Sequence, residues 1–141
     1  MTAATRERVH IRPMRAVHLV ALADPKTRAR FWAKVERAEG CWEWNGARNA
    51  EGYGCFWLLS QTWKAHRLAY VMVVGPIPEG LTLDHLCRNH GCVNVVHLEA
   101  VTDRVNILRG VGATAKHAGK AYCLRGHPFN EANTYQNPRG E

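Results

Sequence analysis

No apolar run in this 141-residue chain approaches the ~18 residues that a membrane-crossing helix needs, so no membrane partner is expected. The apolar stretch nearest the start, residues 16–23, is broken by His18 and lacks a convincing cleavage site, which argues against a secretory signal. Internal repeats and low-complexity tracts are absent. The five cysteines are an odd number with no secretion signal before them, which makes a disulfide framework a poor explanation. Acidic residues are scarce, twelve against nineteen Lys and Arg, giving +7 and a pI near 9.5. Hydrophobic residues at 46% exclude wholesale disorder, and the length suits one domain with a small appendage.

The positive charge is unevenly placed. Residues 1–37 carry nine basic and three acidic side chains, residues 38–102 four and six, and residues 103–141 six and three. A nearly neutral middle thus has two basic ends, a distribution that attracts a polyanion such as nucleic acid along flanking arms; solubility alone is the plainer explanation.

Cys87 and Cys92 have the spacing of a zinc knuckle, with Gly91 before the second cysteine and His97 five residues on. Around them, residues 1–26 read as a basic, part-helical arm. Residues 27–37 suit a short helix burying Phe31, Trp32 and Val35. Short strands follow at 41–44, 52–57 and 62–63, then a helix over 65–74 stopped by Gly75 and Pro76. Residues 81–87 and 92–93 read as a strand and its return. Thr102 caps a helix that runs to Arg109 and closes at Gly110, and residues 111–121 read as a linker. The tryptophans 42, 44, 57 and 63 are assigned to the core.

From Asp84 to Arg109 the pattern becomes specific. Asp84-His85-Leu86-Cys87-Arg88-Asn89, Cys92-Val93-Asn94 and His97-Leu98-Glu99 resemble the HNH, or His-Me finger, endonucleases, closest to the zinc-containing bacteriophage type and similar to the His-Cys-box homing endonucleases. The resemblance extends to Cys41-Trp42-Glu43-Trp44-Asn45-Gly46, Gly52-Tyr53-Gly54, Ala65-His66-Arg67-Leu68-Ala69-Tyr70 and Gly75-Pro76-Ile77-Pro78-Glu79-Gly80. Two positions depart from it: Val95 stands where the family has Pro, and Cys55 where it has a basic residue.

The resemblance implies an α+β fold whose ββα-metal core spans 81–110, inside an endonuclease domain at 27–110 with a tail at 111–141. It implies hydrolysis of double-stranded DNA to 5′-phosphate and 3′-hydroxyl ends, with the hairpin-helix unit against the minor groove. His85 is the natural general base, since its ordinary pKa lies near working pH. By resemblance Asp84 and Asn106 hold the catalytic Mg2+ or Mn2+, the hard cations that oxygen ligands suit. On a regular strand Asp84 and His85 face opposite ways, so a bulge or twist would have to bring both to one site. Arg109, one helical turn beyond Asn106, and Arg67, by its recurrence beside His66 in relatives, are expected phosphate contacts. Asn94 is expected to hold the hairpin loop, His66 to be structural and His90 to lie in solvent or near DNA. By the same resemblance Cys41, Cys87, Cys92 and His97 bind a structural Zn2+, a closed four-ligand set. Cys123 and His127, with Pro128, Asn130 and Asn133, match half of a second zinc site whose remaining Cys pair this chain lacks. Two other functions stay open: a zinc-stabilised DNA-binding module without cleavage, and a phage packaging component that works only with phage protein partners. A homodimer also stays open. The expected setting is the cytoplasm of a bacterial or phage-infected cell.

Overall fold

The computed structural model describes residues 14–130 and 132. The first half of the basic N-terminal arm, residues 1–13, and Asn133 in the tail lie outside the described residues. The chain divides into two compact units, residues 1–100 and 101–141. The architecture is a small mixture of short helices and two-stranded sheets. No helix among the described residues is long and apolar enough to cross a membrane.

The first unit begins with helices α1 (Ala16–Ala23) and α2 (Pro25–Trp32). Residues 14–26 were expected to belong to an arm. Instead α1 buries His18 and Leu22, and Met14 and Ala21 pack against the core. The charge count concealed this, because its basic residues flank an apolar segment. The Asp24 carboxylate accepts the Thr27 N–H at 2.8 Å and Pro25 occupies the first helical position, so α2 starts two residues earlier than expected. It stops at Trp32, and Val35 lies on strand β1 (Val35–Glu36), paired antiparallel with β2 (Glu43–Trp44). Arg37 lies over both Trp32 and Trp42, 4.9 and 4.6 Å from the ring centres.

Strands β3 (Cys55–Leu58) and β4 (Gln61–Lys64) form a hairpin with Leu58 opposite Gln61. Its two-residue turn places Leu59 and Ser60 at φ 48° and 62°, the primed geometry that suits the twist of a hairpin but usually recruits Asn or Gly. Helix α3 (Ala65–Val73) follows at once and buries Ala65, His66, Leu68 and Ala69. The core centres on Phe31, Trp44, Phe56 and Leu68, with the Phe31 ring 5.0 Å from Trp44 and 5.2 Å from Phe56. Trp63 is also buried, whereas Trp57, expected inside, is 61% exposed because alternation on β3 turns it outward between Phe56 and Leu58.

Strand β5 (Thr82–His85) pairs with β6 (Leu98–Val101). Residues 92–93 were expected to be its return strand. They bridge β2 instead: Glu43 pairs with Cys92, Trp44 N–H donates to Gly91 O at 3.0 Å, and Val93 N–H donates to Trp42 O at 2.8 Å. The knuckle is thereby sewn to β2.

In the second unit, α4 (Asp103–Arg109) has the expected ends: Thr102 Oγ1 accepts the Val105 N–H at 3.3 Å and Gly110 caps the far end. The expected linker contains a further helix, α5 (Ala113–Ala118), packed on α4. The tail then folds back locally, with Tyr122 bridged to Pro128, Cys123 N–H donating to His127 O at 2.9 Å and Gly126 at φ 81°.

Candidate active site and metal centre

Sewing the knuckle to β2 brings Cys41, at the start of that segment, to Cys87, Cys92 and His97. Their four ligand atoms lie within 4.8 Å of one another. His97 Nδ1 is 3.6 Å from the sulfurs of both Cys41 and Cys92. A tetrahedral zinc with bonds of ~2.3 Å to sulfur and ~2.0 Å to nitrogen requires about that separation. The Asn94 N–H points at Cys92 Sγ from 3.4 Å. Burial pushes the Cys92 thiol up to about 12, and neighbouring Cys41 and Cys87 add to the rise. A cation among these sulfurs is what would favour their thiolate forms. The donor set and spacing therefore fit a metal such as zinc, in a closed four-ligand site.

Asn94 is buried beside this cluster. Its side-chain N–H donates to Gly40 O at 2.8 Å and its side-chain oxygen accepts the Val96 N–H at 3.2 Å, capping the 3-10 turn Val95–His97. Val95, where the family pattern has Pro, opens that turn without disturbing the cap.

Asp84 and His85 end β5, and the strand is buried from Leu83 onward on both faces, so neighbouring residues are enclosed together. Asp84 is 2% exposed and His85 4%. The Asp84 carboxylate accepts a charge-assisted bond from Arg88 at 2.6 Å. Arg88 can reach back because it adopts φ 58°, a left-handed turn four residues downstream. The His85 ring is held at one nitrogen. Nε2 lies 3.0 Å from the Cys92 carbonyl, which can only accept, so the proton is on Nε2 and the Nδ1 lone pair is left for chemistry. Burial holds the His85 pKa below the ordinary value, with the Cys92 bond and Asp84 opposing that shift.

Around His85 stands a ring of aromatic and basic groups. His66 on α3 meets it edge to face at 4.6 Å, and Tyr53 lies 5.8 Å away. His66 is itself buried, its pKa held well below the ordinary value by burial and then by His85, and its Nδ1 has no hydrogen-bond partner among the described residues. Arg67, the next residue of α3, is half-buried along a cavity of about 380 Å³ with Met14, Leu19, Trp63 and Pro76, and burial lowers its pKa. Asn106 is half-buried and Arg109 exposed, both on α4 of the second unit. Cys123 and His127 are paired, sulfur to Nδ1, at 3.6 Å in the same unit. The sequence reading quoted Arg88 and Tyr53 without giving either a role, and did not single out Lys64, whose ammonium lies 3.9 Å from the Tyr53 ring centre. A basic residue four positions after Asp84 was the one signal for Arg88, and no local signal joined Tyr53 and Lys64 to the site.

The family described as HNH endonuclease matches residues 64–108. The chain is 38% identical to Protein 7.7 of Escherichia phage T7 over 68 residues, covering 48% of this chain and 52% of that protein. It is 39% identical to Protein 2.8 of Escherichia phage T7 over 85 residues, 58% of this chain and 57% of that protein. It is also 43% identical over 44 residues to a protein of Enterobacteria phage T3 described as the uncharacterized gene 5.3 protein, 31% of this chain and 44% of that one. The chain thus spans about half the length of these relatives. No solved structure matches it.

Proposed function

We propose that this chain, whose residues 64–108 match the HNH endonuclease family and which is similar to phage proteins over about half of its length, is a metal-dependent nuclease that nicks or cuts double-stranded DNA to 5′-phosphate and 3′-hydroxyl ends. The observation that carries this reading is the pinned imidazole of His85. Its Nε2–H is committed to the Cys92 carbonyl, so Nδ1 is the atom that takes a proton from the attacking water. Its lowered pKa keeps that nitrogen unprotonated at neutral pH.

Asp84 and Asn106 would hold Mg2+ or Mn2+ within a ββα-metal arrangement of β5, β6 and α4. A buried carboxylate and an amide oxygen suit such an ion. When bound it neutralises charge on the phosphate and on the departing oxygen. Arg88 orients Asp84 from 2.6 Å, and its half-exposed side chain can swing towards a phosphate. Arg67 and Arg109 are assigned to the DNA backbone. Zinc at Cys41, Cys87, Cys92 and His97 is structural, since four protein ligands leave no position open for substrate.

A plasmid-nicking assay with Mg2+ or Mn2+, with EDTA as control, tests the reading. Supercoiled DNA should relax only with the divalent ion. His85→Ala should slow relaxation by roughly 10²- to 10⁴-fold while zinc content and DNA affinity persist. Cleavage by His85→Ala within threefold of the parent would overturn the assignment.

A further inference from the structure

Three side chains from separate segments form a column at the rim of the His85 site. The His90 ring lies flat on Tyr53, with centres 4.2 Å apart and planes 9° from parallel. The Lys64 ammonium also sits over the Tyr53 ring, 3.9 Å from its centre. His90 is also fixed at its edge, its Nδ1–H donating to the Glu51 carbonyl at 2.8 Å. It nevertheless stays exposed, although it is stacked on Tyr53. Its ring centre is 6.0 Å from that of His85.

We propose that this column is a nucleobase-stacking subsite beside the cleavage centre: the outer face of His90 receives the base next to the scissile phosphate, unstacked from its neighbour in the DNA. The inference rests on the nuclease reading above and assigns that site a substrate feature, a duplex that is distorted or open at one nucleotide. An aromatic ring already fixed at its face and its edge gives up little freedom when a base lands on it. Every base has a π face, so such a platform binds without demanding a sequence. Lys64 over the Tyr53 ring, and Arg88 in the same loop as His90, provide the positive surroundings that the adjoining phosphates require. The exposed Trp57 is a weaker candidate: it stands on the outward face of β3, where Arg30 holds its backbone carbonyl at 2.8 Å and no other ring among the described residues steadies its own.

The test uses the full chain. The parent protein first maps the cut. Duplexes carrying 2-aminopurine at each position flanking it are then bound by the His85→Ala protein, which leaves them intact. Fluorescence should be quenched at one flanking position. Adding His90→Ala should restore the fluorescence and weaken binding roughly 5- to 100-fold, with zinc content unchanged, whereas His90→Phe should keep both the quench and the affinity. An unchanged quench in the His90→Ala protein, or DNA bound with no quench at any position, would overturn the subsite. If the parent protein cuts nothing, the nuclease reading falls by itself. The probe is then scanned along the bound duplex, where a His90-dependent quench upholds the platform and its absence removes it.

Discussion

Two places among the described residues set a cysteine sulfur 3.6 Å from a histidine nitrogen, and they differ in the number of further donors and in burial. In the first unit, His97 faces Cys41 and Cys92, with Cys87 completing four donors, and a buried Cys92 at the centre. In the second, Cys123 and His127 meet on an exposed turn where Leu124 is fully open to solvent. Both pairs rest on local hydrogen bonding to sulfur: the Asn94 N–H points at Cys92 and the Arg125 N–H at Cys123, each at 3.4 Å. A tight turn thus suffices to preform half of a tetrahedral site. Completing it takes a second segment, and in the first unit that segment arrives because β2 is sewn to residues 91–93. Metal affinity should follow the number of donors and their burial rather than the quality of the turn.

The harshest way to break the comparison is Cys87→Ser. It removes one donor of four, and the first unit should lose its zinc and unfold. Structural zinc is worth on the order of 10 kcal/mol in small zinc-folded domains, more than most domains have to spare. Elemental analysis and thermal melts by circular dichroism check this; a folded protein that has lost its metal would show that the aromatic core suffices. A milder change separates core from cluster. A Cβ at Gly54 would lie 2.6 Å from the Trp44 indole, so Gly54→Ala should destabilise by ~1–3 kcal/mol in urea while the zinc content stays constant.

Acid should act on the first unit through His66 as well as through the metal ligands. Its lowered pKa means that the unfolded chain takes up a proton near the ordinary value of 6.5 while the folded one does not. Stability from this source is complete above that pH and falls below it, by at most about 1.4 kcal/mol per pH unit. His66→Phe should flatten that part of the slope between pH 7 and 5; an unchanged slope would exclude His66 as a contributor. The smallest effect is expected for Cys123→Ser, within about 0.5 kcal/mol of the parent and with zinc still at one per chain. Two zincs per chain before the substitution and one after it would show that the tail pair finds donors elsewhere.

Signals confined to a few residues were readable before the fold was known. Helix α4 is an example: Thr102 at one end and Gly110 at the other mark it fully. The four cluster residues were likewise nameable, through spacing for three and resemblance for Cys41. What depends on remote pairing was not. Residues 92–93 look like the return of β5, but their backbone groups bond to β2, and no local pattern distinguishes those partners. The helical character of the arm was read, but the packing of α1 into the core was hidden by reading charge before periodicity, and α5 was hidden by its small residues. At the site, Arg88 acts through a left-handed backbone that a non-glycine sequence does not advertise. The Lys64–Tyr53–His90 column joins three segments that only the fold brings together.

The bridge from Cys41 to His97 spans 56 residues. On the ribosome, the first cysteine therefore emerges long before its imidazole partner, and the hydrogen bonds of β2 to residues 91–93 must wait for the same stretch of chain. During synthesis Cys41 passes this interval as a thiol without its metal, open to oxidation or to capture by whatever cation it meets. Zinc supply and translation speed over this interval, rather than the finished protein's stability, should then set the yield of correctly assembled chains.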